Sequence, residues 1–126
     1  LSTLPEMALL AGELFKVADM TPADIEIAML DDRFAPLVPM QLEALGFCGA
    51  GEGAAFCEGG ANLRVGGRLA LNTNGGFWGE GFSYGSNVIE AVRQIRGTST
   101  SQVDGASTVL VTSGAGGPAD GVILAR

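Results

Sequence analysis

Met7, Leu10, Leu14 and Val17 recur at helical spacing, so the chain opens on a helix with one apolar stripe, expected to run to about Met20. Thr3-Leu4-Pro5-Glu6 ahead of it has the form of a capping box with proline in the first turn. Thr21-Pro22-Ala23-Asp24 repeats the start signal and predicts a single turn. Ile25 to Leu30 is short and nearly continuously apolar, which suits a strand buried on both faces, ended by Asp31-Asp32. Pro36 to Leu45 reads as a second helix, stopped at Gly46. Gly49 to Gly67 has no sustained period and is expected to be an extended loop, of a length that is usually functional or partnered. Arg68 to Asn72 reads as a brief strand and Gly75 to Gly85 as a second loop. A helix is expected from about Asn87, with Val88, Val92 and Ile95 as its apolar stripe and Gly97 as its stop. Thr108 to Thr112 and Gly121 to Leu124 are the last two strands.

The order α, β, α, loop, β, α, β, β indicates one α/β layered domain over residues 1–126, with a mixed sheet and helices on both faces. The last two strands are close enough in sequence to pair antiparallel.

Composition sharpens this picture. Apolar residues make up 47% of the chain and charged residues only 17%. A small domain has much surface for its volume, so this balance implies that part of the surface is covered by something else. The net charge of −7 repels phosphate backbones and argues against nucleic acid as a partner. No apolar run approaches the ~20 residues of a membrane span, and no signal peptide is readable, so a cytoplasmic location is expected. The chain starts at Leu1 rather than methionine and reads as a piece of a longer protein. Cys48 and Cys57 fit no zinc spacing, no metal site is expected, and two ordinary thiols are the simpler reading. With no histidine, neither a Ser-His-Asp triad nor a Cys-His pair can be built from this chain. Proton transfer falls to Asp, Glu, Lys, Tyr, a thiol or water.

Four segments are candidates for chemistry. Asp31-Asp32-Arg33-Phe34 follows a buried strand, where sites gather in open α/β sheets. Two carboxylates beside an arginine there supply either a base with its tuning partner or a capping aspartate with a surface ion pair. Asn72-Thr73-Asn74-Gly75-Gly76 also follows a strand, and its backbone N–H groups could approach a ligand as an oxyanion hole or simply form a turn. Glu80-Gly81-Phe82-Ser83-Tyr84 leads into a helix N-terminus, which favours negative charge, and carries the only tyrosine. Ser113-Gly114-Ala115-Gly116-Gly117 joins two strands and has neither the Lys-Ser/Thr of a nucleotide phosphate loop nor a following helix.

Taken in order, Ala44-Leu45-Gly46-Phe47-Cys48, Gly51-Glu52-Gly53, Gly66-Gly67, Asn72-Thr73-Asn74-Gly75-Gly76 and Gly114-Ala115-Gly116-Gly117 resemble the C-terminal half of thiolases. The resemblance is to the branch of sterol-carrier-protein thiolases and lipid-transfer-protein aldolases, and it runs from the first helix to the C-terminus. It implies one half of a duplicated, layered thiolase fold. The other half, which carries the nucleophilic cysteine in thiolases, is outside this chain.

The resemblance also carries site residues. Thiolases have Asn-Glu-Ala-Phe, and the sterol-carrier branch His-Asp-Cys-Phe, where this chain has Asp31-Asp32-Arg33-Phe34. The family Gly-His-Pro stands at Gly81-Phe82-Ser83, so the histidine is replaced by Phe82. The family cysteine of Cys-x-Gly falls on Thr112. With both proton-transfer residues replaced, the resemblance implies retro-aldol cleavage of a β-hydroxyacyl-CoA in lipid or steroid side-chain catabolism. Tyr84, Asp31 and Asp32 are then the expected catalytic residues, with Tyr84 the preferred acid/base. Asn74, Gly75, Gly76, Phe82, Thr112, Gly114 and Gly116 are expected to line the substrate site. No cofactor is expected beyond the coenzyme A thioester, which is the substrate. The implied partners are the N-terminal thiolase half, a second copy of the full enzyme and an OB-fold subunit with a zinc ribbon. The alternatives are a thiolase-type acyltransferase with its nucleophile on the missing half, and a non-catalytic scaffold subunit.

Overall fold

The computed structural model describes residues 3–114 and 117–126. Four strands form one sheet: β1 (Ile27–Met29), β2 (Ala70–Leu71), β3 (Thr108–Ser113) and β4 (Asp120–Ala125). Their order across the sheet is β2-β1-β3-β4. β1 pairs parallel with both β2 and β3, with Ala28 opposite Leu71 and Leu110. β4 returns antiparallel to β3, with Val111 opposite Val122 and Thr112 opposite Gly121. The sheet is therefore mixed, as the order of elements implies.

Five helices cover it: α1 (Pro5–Ala18), α2 (Leu37–Ala44), α3 (Gly53–Cys57), α4 (Gly76–Glu80) and α5 (Tyr84–Arg96). On one face Met7, Ala11 and Phe15 of α1 and Leu42 of α2 pack with Ala28, Leu30 and Leu110. On the other, Ala91 of α5 packs with Ile27, Met29, Val109 and Val111. Successive strand residues alternate between the two clusters, as the pleat requires. All of β1 is buried, which explains its unbroken apolar run.

Several boundaries differ from the sequence reading. α1 starts at Pro5 behind Leu4, and no side chain caps it, so the Thr3–Glu6 box does not form. The second box does form: Asp24 accepts hydrogen bonds from the Thr21 N–H and hydroxyl, closing a 3₁₀ turn over Pro22–Asp24. The expected loop 49–67 contains α3 and a 3₁₀ turn, and the expected loop 75–85 contains α4. α5 begins at Tyr84, not near Asn87, and Gly97 ends it in the left-handed conformation.

The buried face of α5 is also polar where an apolar stripe was expected. Asn87, Glu90, Ala91 and Gln94 are buried, while Val88 is exposed. The Glu90 carboxylate accepts hydrogen bonds from the hydroxyls of Thr73 (2.7 Å) and Ser99 (2.6 Å) and from the Gln94 amide (3.0 Å). Hydrogen bonding makes that burial tolerable.

Candidate active site

β1 ends two residues short of Asp31, and side chains take over from the ladder. The Asn72 amide accepts from Leu30 N–H (2.8 Å) and donates to Leu30 C=O (3.1 Å). The Gln41 amide of α2 accepts from Asp31 N–H (3.2 Å) and donates to Asp31 C=O (2.6 Å). The fully buried Asp31 side chain then faces the α5 side of the sheet, where Tyr84 opens its helix.

Here the two leading candidates meet. The Tyr84 hydroxyl donates to Asp31 Oδ2 at 2.9 Å. Arg33 forks the same carboxylate: Nε lies 3.0 Å from each oxygen and Nη2 2.7 Å from Oδ2. Its guanidinium also sits 5.8 Å from the Tyr84 ring centroid, within cation–π range. Gly114 N–H reaches the Tyr84 oxygen at 3.4 Å, and Phe77 packs edge-on to the ring at 4.9 Å.

Charge follows from this geometry. Burial is the largest single influence on Asp31 and pushes its carboxyl up. The hydrogen bonds from Arg33 and Tyr84 and the arginine charge together outweigh burial and hold it below its ordinary value. Tyr84 moves the other way: burial first, then the Asp31 carboxylate, raise the phenol, against the opposing Gly114 N–H and Arg33. The expectation that the helix N-terminus would favour a phenolate is therefore not met, because burial of the phenol, reinforced by the carboxylate at 2.9 Å, prevails. At neutral pH the site holds an anionic Asp31 and a neutral Tyr84 that donates to it.

Asp32 has a different place. Its Oδ1 accepts from Phe77 N–H (2.9 Å) and its backbone C=O from Trp78 Nε1 (3.0 Å), so it anchors the start of α4. Gly76 lies against it with φ +64°, and a Cβ there would overlap the Asp32 carboxylate.

The glycine loop is likewise engaged. Gly75 N–H donates to Asn72 C=O, and Gly76 N–H to Asn74 Oδ1 (3.0 Å). These two amides are already satisfied, which runs against their expected role as an oxyanion hole. Asn74 also donates to Asn87 Oδ1 (3.2 Å). Because Asn74 Oδ1 holds the Gly76 N–H, neither amide can flip. Among the described residues, the buried Asn87 Nδ2 has no partner.

Phe82 is 66% exposed, its ring tilted against Phe77 and edge-on to Trp78, each at 6.0 Å. Thr112 is buried, and among the described residues its hydroxyl has no partner. It lies opposite Gly121, whose Cβ direction meets Leu10 and Leu14 of α1, so the Thr112 side chain occupies the face away from Tyr84. Its hydroxyl points away from Tyr84, while the residue itself forms part of the wall of the cavity beside the phenol. Gly114 joins the site through its N–H, and has φ +93° with no room for a side chain beside the Pro118 carbonyl. Gly116 lies outside the described residues. Burial raises both cysteine thiols, with Glu43, Cys57 and Glu52 adding to the effect at Cys48, so neither is primed as a nucleophile. Among the described residues, no cluster of His, Cys, Asp and Glu could hold a metal ion, and no helix is long and apolar enough to cross a membrane.

Beside Tyr84 lies a cavity of about 220 Å³, walled by Val88 of α5, Val111 to Ser113 of β3 and Asp120 to Val122 of β4. The sequence reading placed Arg33 beside the carboxylates and Ser113 in a candidate segment, but it missed Gln41 and Asp120. The period-two alternation of Asp120 with Val122 was the available signal for the latter.

A family model described as thiolase C-terminal domain-like matches residues 4–124. The chain belongs to this thiolase family. Among curated relatives of this thiolase domain, 17-hydroxy-3-oxo-4-pregnene-20-carboxyl-CoA lyase of Mycobacterium tuberculosis is 50% identical over 98% of the chain and 32% of the relative. A steroid side-chain-cleaving aldolase of Thermomonospora curvata is 48% identical over 96% of the chain and 31% of the relative. A solved structure of an Ltp2-ChsH2(DUF35) aldolase superposes with a TM-score of 0.92 at 46% identity, over 98% of the chain and 32% of that chain. The thiolase domain described here thus spans about a third of the length of the relatives it matches.

Proposed function

We propose that this thiolase domain is part of an acyl-CoA lyase that cleaves a β-hydroxyacyl-CoA by retro-aldol chemistry in steroid side-chain catabolism. The observation that carries this is the Tyr84 hydroxyl 2.9 Å from a buried, arginine-forked Asp31. The relatives named as a carboxyl-CoA lyase and a steroid side-chain-cleaving aldolase support the same reading.

Retro-aldol cleavage requires a proton to leave the β-hydroxyl while the carbon–carbon bond breaks into a ketone and a thioester enolate. Tyr84 receives the hydroxyl proton as its own passes to Asp31 Oδ2. The bond pair enters the enolate, and the proton returns through Tyr84 to the α-carbon. Atoms balance, and no cofactor beyond the coenzyme A thioester is needed. Arg33 opposes lasting protonation of Asp31, so the proton is held only transiently. The anionic Asp31 also orients the phenol and makes its oxygen a better acceptor, as a carboxylate does for an imidazole in a triad. Donors to the thioester oxygen come from outside the Gly75 and Gly76 amides.

Thiolytic acyl transfer is disfavoured by Phe82 in place of the family histidine and by the raised thiols. The rest of the thiolase fold, a second copy of the enzyme and an OB-fold zinc-ribbon subunit are the partners of this reading. The location is cytoplasmic. The test is incubation of the complete enzyme with a steroid-side-chain β-hydroxyacyl-CoA, with mass-spectrometric detection of a ketone and a shortened acyl-CoA. Asp31→Asn should lower kcat by about 10²–10⁴-fold, the range for a lost proton-transfer group. Cleavage at the wild-type rate in that variant refutes the relay, and absence of both products in the wild type refutes the reaction class.

A further inference from the structure

We infer that the cavity between α5, β3 and β4 receives the carbonyl-side fragment of the substrate, the half that leaves as the ketone, and not coenzyme A. The inference rests on the retro-aldol reading above and assigns a subsite within it.

The first argument is connectivity. Tyr84 forms part of the wall of the 220 Å³ cavity. A group that exchanges a proton with the β-hydroxyl touches the oxygen on the β-carbon. The other substituents of that carbon are the ketone half, and they project from one bond beyond the hydroxyl. The space continuous with the phenol is where they lie. The thioester, joined through the α-carbon, extends in another direction.

The second argument is charge and polarity. Val88, Val111 and Val122 give the cavity an apolar wall, and the charged residue lining it is Asp120. Among the described residues, no lysine or arginine lines it. Coenzyme A carries several phosphate charges, which a carboxylate repels and a valine wall cannot solvate. A neutral, carbon-rich fragment meets neither obstacle.

The third argument is size. The volume lies below the roughly 300–1,000 Å³ of pockets that enclose a drug-sized ligand. The cavity therefore takes the part of the ketone half nearest the reacting carbon, and Val88 and Val122 at its sides limit how bulky that part can be. Both are near half exposure, at 42% and 43%, so larger side chains there do not displace the core.

The experiment uses the complete enzyme and two substrates. One is a β-hydroxyacyl-CoA whose β-carbon belongs to a ring. The other is 3-hydroxy-3-methylbutyryl-CoA, which releases acetone and acetyl-CoA. The readout is the ratio of kcat/KM for the cyclic over the acetone-releasing substrate. Val88→Trp and Val122→Trp should each lower that ratio at least tenfold, and Val122→Ala should raise it. A ratio unchanged in all three variants, with wild-type cleavage of both substrates, overturns the subsite and leaves the retro-aldol reading standing. Equal losses on both substrates overturn it too, because the substitutions then act on the fold or on Tyr84 rather than on fragment size. A wild-type enzyme that cleaves neither substrate removes the retro-aldol reading and the subsite with it.

Discussion

Replacing Arg33 by methionine keeps the side-chain stem and removes the guanidinium. Asp31 then loses the three contacts at 2.7–3.0 Å and keeps the position-33 N–H (3.1 Å) and the Tyr84 hydroxyl. Breaking a buried ion pair by removing one partner costs about 3–5 kcal/mol. The Arg33 side chain is 38% exposed while that of Asp31 is 0%, so water screens part of the interaction. Discounting for that screening, the expected loss at pH 7 is about 1–3 kcal/mol. Its pH dependence separates charge from lost packing. In the wild type the Asp31 carboxyl is depressed, so its contribution is present above the ordinary value of 3.8 and is lost as pH falls through the depressed one. Without Arg33, burial dominates and raises the carboxyl, so the buried anion becomes a liability at neutral pH. Variant and wild type should therefore differ most at pH 7 and converge as pH falls through the depressed Asp31 value. Urea unfolding across that range measures the difference. A destabilisation independent of pH would refute the assigned role of the charge. Arg33→Lys should fall between the two, since it restores the charge without the fork.

Tyr84→Phe keeps the ring against Phe77 and should lower kcat of the complete enzyme by about 10²–10⁴-fold with little loss of stability. Because the wild-type phenol is raised above 10.0, kcat/KM should show no alkaline fall from Tyr84 below pH ~10; a tyrosine-dependent limb near pH 8 would contradict the site's electrostatics. Gly76→Ala combines left-handed strain with overlap on Asp32 and should destabilise by about 2–4 kcal/mol in denaturant unfolding, so a change under about 0.5 kcal/mol would be unexpected. Asp32→Ala should cost about 1–2 kcal/mol through loss of its bond to Phe77 N–H, whereas Asp32→Asn, which keeps an acceptor, should cost less; equal losses would show that charge matters there more than capping.

The layered fold is legible because β1 has the nearly unbroken apolar run of a strand covered on both sides; α1 is legible as a helix but its buried face is not, since Met7, Ala11 and Phe15 are buried while Val17 of the expected stripe is 83% exposed. The resemblance added the thiolase assignment that the family match bears out. The site is legible as a neighbourhood: Asp31 and Tyr84 were singled out separately, and their contact spans 53 positions of sequence. Their electrostatics are not legible, because the carboxylate's effect on the phenol depends on that distance. Nor is the buried face of α5, where the expected stripe was Val88, Val92 and Ile95 and the buried Glu90 and Gln94 find partners in Thr73 of the loop after β2 and, for Glu90, in Ser99 of the turn just past the helix. Short helices such as α3 and α4 escape a periodicity argument because neither lasts long enough to show a stripe.

The side-chain stitching at the end of β1 bears on how such a site can be retuned. A residue inside a strand inherits its position from main-chain bonds, which substitution leaves untouched. Leu30 and Asp31 instead hang on the carboxamides of Asn72 and Gln41, one from the neighbouring strand's loop and one from a helix on the opposite face. Each tether can be shortened, lengthened or deleted by a single codon change while the four-stranded sheet keeps its register. Positions 41 and 72 are thus adjustment screws for the reactive carboxylate, and libraries built there would sample sub-ångström displacements of Asp31 that substitutions at the carboxylate itself cannot reach.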